Sequence, residues 1–341
     1  MEQTTRGRQL WLDALRIFAA AAVVALHSMN GFITSPAMVG SLTWYGCLAV
    51  NAVVRAGVPL FLMISGCLIL SDARTADFAS FYKKRLTRIL LPFLVWDVIY
   101  FLVHLLTEER AYRFGDFLRE LLNNGSEYHF WYVYTIAAIY LFAPFLRILV
   151  ERCSPKAILW LWVLAAFTGT IRPLLNTVQP VYIFLFDPLV NGYFSYFLLG
   201  YLLGNVELNG KIRALFYAGG VIGLTYGIFA NAAASSAESV NLVANGGYAF
   251  NQHLTAAALF VLAKYAPVFR GKTTGKRTAA VSGVTYGVYL SHVLVLGAVR
   301  HFMPSIHPAL TIAISFAAAF FVPTAAMLLV SRIRPAAKFL M

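Results

Sequence analysis

The stretch Leu10–Asn30, LWLDALRIFAAAAVVALHSMN, is an apolar run that nevertheless carries Asp13, Arg16 and His27. About 20 apolar residues rising 1.5 Å each cross a ~30 Å hydrocarbon core, so this segment has spanning length. Ionisable groups inside such a span cost roughly 2.5–3.5 kcal/mol each on insertion scales, and they are kept where they face protein or water and act there. Arg16 and His27 are eleven positions apart, about three helical turns, and therefore share one helix face roughly 16 Å apart along the axis.

Four further stretches carry residue types that can do chemistry. NAVVRAGVPLFLMISGCLIL places Arg55 deep in an apolar run, ahead of Pro59, which could kink it, and of Ser65 and Gly66. Arg55 either satisfies carbonyls as a structural residue or serves a site, because so deep an arginine needs an internal partner. FYKKRLTRILLPF gathers Lys83, Lys84, Arg85 and Arg88 where the chain re-enters the apolar phase, with Arg85 and Arg88 on one helical face. Such clusters commonly record topology or lipid headgroups, while paired guanidiniums also bind phosphate bidentately. SEYHFWYVYTIAAIYLFAP brings Glu127, His129, Trp131 and Tyr132 to one span end, where aromatics are ordinary interfacial anchors. SGVTYGVYLSHVLVL aligns Ser282, Tyr286, Tyr289 and His292 as a polar stripe that must face the bundle interior. His104, His253, His301 and His307 have no partner visible in the sequence and read as structural or solvated. No HxxxH or HExxH spacing occurs, so no metal site is expected.

The elements that position these residues are membrane helices. The chain has 341 residues, 60% of them hydrophobic and 12% charged, with a mean hydropathy of +0.71. Soluble domains run near 45–50% apolar and about 25% charged, so the chain is a polytopic membrane protein. Its net charge of +13 needs no nucleic acid, since positive-inside loops generate such an excess. Cys47, Cys67 and Cys153 lack pairing or metal spacing, so neither a disulfide framework nor a zinc site is expected. The first apolar run lacks a small-residue cleavage site and reads as a retained span.

An all-α bundle of about ten spans follows, at roughly 10–30, 44–70, 86–107, 129–150, 157–171, 189–206, 211–230, 248–269, 280–302 and 306–331. The stretch 172–188, with Pro173, Pro180 and Pro188, reads as re-entrant or irregular. With the N-terminus inside, about 20 Lys and Arg fall in inner loops against 5 in outer ones, which places both termini in the cytoplasm. Gly200 and Gly204, then Gly219, Gly223 and Gly227, read as close-packing positions. Phe114, Phe117, Leu118, Leu121 and Leu122 recur at helical spacing among charges, an amphipathic helix expected on the outer leaflet. No internal repeat or appended soluble domain is visible, so residues 1–341 read as one integral domain.

Taken together, these stretches resemble the acyltransferase 3 family of membrane transacylases. The arginine, ten residues and histidine of LDALRIFAAAAVVALH resemble its hallmark, VPLFLMISGCLIL its FFxLSG segment with Met63 at a usually bulky place, and KKRLTRILLPF its KRxxRIxxP segment. HFWYVYTIAAIYLFAP is similar to its HxWYL segment and SGVTYGVYLSH to its SYGIYLxH segment. The matches keep the family order over spans one to four and nine, while spans five to eight carry no matched motif, a region where acceptor recognition is expected to vary. Many members carry a fused extracytoplasmic hydrolase-like domain. This chain ends ten residues after span ten, so direct transfer, or hand-over to a separate protein, is expected.

The resemblance implies transfer of an acyl group, usually acetyl, from cytoplasmic acetyl-CoA to a hydroxyl of a surface or lipid-linked glycan, in the inner membrane of a bacterium. Acetyl-CoA enters as co-substrate, with no metal. Lys84, Arg85 and Arg88 then suit the anionic nucleotide end of the coenzyme. Arg16 would hold the coenzyme arm or a phosphate, with Ser65 on the same side. His27 would meet the thioester at the far end, either deprotonating the acceptor hydroxyl or carrying the acyl group itself. Glu127 or Tyr286 would orient His27, and Arg55 would polarise the carbonyl or hold an anionic acceptor. His129, Trp131, Tyr289 and His292 are expected to bind the acceptor. The expected partners are membrane lipids and the glycan, with glycan-assembly proteins or a second copy of the chain as candidates. Two other readings stand beside this one. Ten spans with an intramembrane arginine and histidine also suit a transporter or exporter of a polysaccharide or lipid-linked precursor. A non-catalytic partner in a glycan-assembly complex is the other.

Overall fold

The structure, a computed structural model, describes residues 8–107, 114–123, 125–176, 192–247, 249–303 and 306–341, with side chains from 168 to 176 left aside. Its helices are α1 (Leu10–Ile33), α2 (Leu42–Val54), α3 (Gly57–Ile69), α4 (Phe78–Thr107), α5 (Phe114–Asn123), α6 (Trp131–Arg152), α7 (Pro155–Asn176), α8 (Tyr193–Asn205), α9 (Gly210–Ala234), α10 (Phe250–Tyr265), α11 (Lys276–Phe302), α12 (Pro308–Val330) and α13 (Arg334–Leu340). Among the described residues no β-strand occurs beyond one isolated bridge between Gln9 and Thr273, and seven helical segments are long and apolar enough to cross a membrane. The fold is thus an all-α transmembrane bundle. Most of the irregular stretch expected at 172–188 lies outside the described residues.

The second expected span is one apolar segment, Leu42–Ile69, broken into α2 and α3 at Arg55–Ala56. Pro59 explains the break. It has no N–H for the Arg55 carbonyl, and its ring would clash with that carbonyl in a continuous helix. The chain tightens there instead, with Ala56 N donating to Val53 O at 3.2 Å and Leu60 N restarting the ladder on Ala56 O at 2.8 Å.

α1 is central, packing on α11, α3, α2, α12 and α10. Its Ala19, Ala20, Ala22, Val23 and Val24 are buried, so small side chains allow neighbours to come close around the Arg16–His27 line. The glycine patterns are packing positions. A Cβ on Gly66 would lie 1.8 Å from the Phe197 carbonyl oxygen, and one on Gly200 2.0 Å from that of Met63, so α3 and α8 touch backbone to backbone. Gly220 and Gly223 likewise let α9 approach Ala258 and the Asn251 carbonyl of α10. Outward faces bear Val221, Ile222 and Phe229 on α9 and Phe321, Val322 and Leu329 on α12, apolar surface that requires lipid.

The amphipathic segment forms α5, which meets α4 through a Phe117–Phe101 ring contact at 5.0 Å while Leu118 and Leu122 stay exposed. The last residues fold back as α13 along α4, where Trp96 Nε1 donates to Leu340 O at 3.2 Å and Gly287 leaves room for that carbonyl.

Gly66→Ala and Gly200→Ala should each cost at least the ~1–3 kcal/mol of an overpacked core, because backbone rather than a flexible side chain stands in the way. Gly46→Ala, with nothing within 4 Å of the added carbon, should be neutral. Thermal unfolding of the three variants in detergent checks the contrast.

Candidate active site

Two polar clusters lie along α1, one at each end of the line predicted from Arg16 and His27. At the Arg16 end, Asp13 is almost fully buried and collects five hydrogen bonds. Arg8 grips it with Nε at 2.5 Å and Nη2 at 2.9 Å, and Arg16 Nη1 donates to it at 3.1 Å. Thr274 Oγ1 at 2.7 Å and Ser282 Oγ at 2.5 Å complete the shell. Its hydrogen bonds to the carboxylate raise Arg8 above its ordinary pKa against a smaller desolvation effect. Arg16 also donates to Ser282 Oγ at 3.1 Å, so α11 and the loop before it help to aim the guanidinium. Asp13 is the counter-ion that makes a half-buried Arg16 tolerable.

Arg88 and Tyr140 lie within electrostatic range of Arg16. Arg88 and Lys84 are exposed and Arg85 is half-buried, so the basic cluster sits at the same end and faces outward from the bundle. Ser65 Oγ accepts from the Tyr140 hydroxyl at 3.3 Å, which places it beside this cluster too.

At the other end a cavity of about 210 Å³ opens between α1, the α2–α3 break, the start of α6 and the start of α8. His27, Asn30 and Arg55 supply its polar wall, and Tyr128, His129, Trp131, Tyr132, Tyr193 and Tyr289 its aromatic wall. At this size it admits a single ring or a thin arm, below the ~300–1,000 Å³ of drug-sized pockets. Three imidazoles meet here. Ring centroids are 5.3 Å apart for His27 and His292, 5.0 Å for His129 and His292, and 6.4 Å for His27 and His129. His292 Nδ1 lies 2.6 Å from the Tyr289 carbonyl, so that nitrogen carries the proton and Nε2 presents a lone pair without a protein partner. Among the described residues both His129 ring nitrogens are buried without a hydrogen bond of good geometry, with the backbone of Tyr289 and Leu290 alongside. Among the described residues the His27 ring makes no hydrogen bond, and its backbone carbonyl accepts from Arg300 Nη2 at 3.4 Å. Among those residues no three His, Cys, Asp or Glu side chains are disposed to hold a metal.

The helix stripe on α11 links the two clusters. Ser282 touches Asp13, Tyr286 donates to Ile89 O at 2.8 Å, Tyr289 donates to His129 O, and His292 stands beside His27. Tyr132 lines the cavity and also lies within electrostatic range of Arg16, Tyr140 and Tyr286. The side chains of Tyr132, Tyr140, Tyr286 and Tyr289 thus stand as a row of phenols between the two ends.

Several expected residues fall elsewhere. Glu127 Oε1 is 3.1 Å from His104 Nε2 on α4, so His104 has a partner. Tyr286 is committed to the Ile89 carbonyl and stacks on Tyr289 at 6.3 Å rather than on His27. His253, read as structural or solvated, is buried at 2.6 Å from Ser195 Oγ and stacked on Tyr196 at 4.2 Å. Sequence reasoning missed the amides around Arg55, and Asp97, whose Oδ1 accepts from Ser126 N at 2.6 Å and fixes the turn that delivers His129. Asn51, four residues before Arg55 on the same helix face, was the available signal.

Asp13→Ala should leave a half-buried Arg16 without a counter-ion and cost near the low end of the ~3–5 kcal/mol typical of a broken buried pair, since both arginines keep contact with solvent. Thermal unfolding in detergent reads it, and Arg8→Ala should cost clearly less.

Residues 9–331 match the family described as an acyltransferase domain. No curated protein and no solved structure matches the chain. The matched range takes in both ends of the site, from Asp13 and Arg16 through His129 to His292, and all seven spanning-length segments. The chain belongs to the acyltransferase 3 family and is a membrane acyltransferase.

Proposed function

We propose that the chain moves an acetyl group from cytoplasmic acetyl-CoA, across its own bundle, to a hydroxyl of a cell-surface or lipid-linked glycan. Its place is a bacterial inner membrane, with both termini cytoplasmic and residues 1–341 acting as one domain. The observation that carries the reading is the uncharged polar line joining an arginine end to a histidine cavity, with Tyr132 in reach of both. A transporter reading leaves without a task three imidazole edges that have no hydrogen-bond partner among the described residues.

Arg88, Lys84 and Arg85 receive the anionic nucleotide end of the coenzyme, and Arg16, with Ser65 nearby, receives the start of the arm. The arm follows the phenols toward the cavity, which brings the thioester to His27. There the acceptor hydroxyl oxygen attacks the thioester carbonyl while the His27 imidazole takes its proton. The carbon–sulfur bond breaks, and the thiolate leaves toward the Arg16 end and recovers one proton. His292 Nε2 and the His129 ring are lone-pair and N–H partners for the acceptor, and Trp131, with Tyr193 at 5.0 Å, is a face for a sugar ring. Tyr289 holds His129 by its backbone, so its part is positioning.

In proteoliposomes supplied with labelled acetyl-CoA and surface glycan, His27→Ala should lower acetyl incorporation by roughly 10²–10⁴-fold with no change in melting temperature. An active alanine variant sinks the mechanism, and passage of unmodified glycan into the vesicles means a transporter. Arg88→Ala should raise the KM for acetyl-CoA by roughly 10-fold or more, the worth of one charge-assisted hydrogen bond, and leave acceptor binding unchanged.

A further inference from the structure

Arg55 and Arg16 solve the same problem in opposite ways. Arg16 is met by a carboxylate, while Arg55 is held by neutral groups alone. Its Nε donates to Asn51 Oδ1 at 3.4 Å and its Nη1 to the Asn245 carbonyl at 3.2 Å. The Asn245 side chain accepts from Asn51 Nδ2 at 2.9 Å and Asn231 Nδ2 at 3.0 Å, and Asn231 Oδ1 accepts from Ala244 N at 2.8 Å. Those amides fix the guanidinium without cancelling its charge. Among the described residues Nη2 has no partner, and no Asp or Glu lines the cavity that Arg55 faces. Arg300, on the His27 carbonyl, adds a second positive charge at this end.

A guanidinium in a low-dielectric pocket attracts an anion strongly, and its planar edge suits a carboxylate or phosphate. We propose that the acceptor is itself anionic: a saccharide bearing a carboxylate or phosphate next to the hydroxyl that is acylated, with that group on the free edge of Arg55 and its ring near Trp131. The acylation part of this statement rests on the acyltransferase reading; the anion site is tested by binding alone. An anchored anion would fix which hydroxyl faces His27, so Arg55 would set both substrate class and regiochemistry.

The test compares methyl β-glucuronide, methyl glucoside 6-phosphate and methyl β-glucoside for binding to the intact purified chain in neutral detergent, by calorimetry at moderate salt. At least one charged glycoside should bind roughly 10-fold or more tighter than the neutral one, and weaken as salt rises. The two charged probes separate a uronate from a phosphate as the preferred group. Arg55→Gln should bring the charged ligand down to the neutral one, and Arg55→Lys should keep part of the preference. Equal binding of all three, no binding of either charged glycoside, or a preference that survives Arg55→Gln each overturns the anion site. Selective binding without acetyl transfer to the bound glycoside leaves the anion site standing and counts against the acyltransferase reading instead.

Discussion

Everything in this bundle depends on how a charge is tolerated away from water. An arginine on an apolar helix is expensive unless a partner or a wet cavity receives it. Asp13 is that partner for Arg16, three residues along the same helix, and the pair would be costly with only its own two hydrogen-bond edges filled. Arg8, Thr274 and Ser282 fill the rest. One consequence is architectural: the segment before α1 is tied to the α10–α11 loop, with Leu10 N on Lys272 O at 3.2 Å and Thr274 N on Arg8 O at 3.0 Å. Solving the electrostatics of Arg16 therefore sets where α11 begins, and with it the height of Ser282, Tyr286, Tyr289 and His292.

The histidine cavity is set by backbone constraints instead. Pro59 breaks the second span at Arg55, which turns the arginine toward the loop carrying Asn245. Gly66 and Gly200 then bring α3 against α8, so Tyr193 at the start of α8 reaches the cavity from one side while Val58 and Pro59 line it from another. Across the gap, Tyr100 accepts from Leu294 N at 3.0 Å and donates to Leu290 O at 3.0 Å, pinning α4 to α11 just where His292 must stand. Small residues and one proline do the positioning; the ionisable groups then occupy what the packing leaves.

The sequence was informative where a rule of the membrane leaves a local trace. Among the described residues, seven of the ten expected spans declare themselves by length, the glycine patterns by spacing, and the α11 stripe by its period, because each follows from contacts within one or two helical turns. The α2–α3 break was half visible, since Pro59 marks a kink but the displaced carbonyl lies four residues earlier. Partners drawn from distant segments left no such trace. Glu127 and His129 are two positions apart, yet one turns to His104 on α4 and the other to the cavity, a choice fixed by the turn that Asp97 organises. Likewise Asn51 and Asn231 look like isolated amides until tertiary packing places both on the Asn245 side chain.

The two ends differ in a way that bears on direction of traffic. A guanidinium already paired with Asp13 still offers hydrogen-bond donors to a passing anion, but the carboxylate competes for its edge. Such a site suits a coenzyme that must arrive and leave. An arginine held only by amides keeps its full charge and binds an anion more tightly. Between them lie phenols, which hydrogen-bond to an amide-rich arm without trapping it electrostatically. A gradient from matched charge, through neutral polarity, to unmatched charge lets a thin donor slide while an acceptor stays put. On the function proposed above, the acyl group travels and the acceptor waits, and the three imidazoles stand where the two would meet.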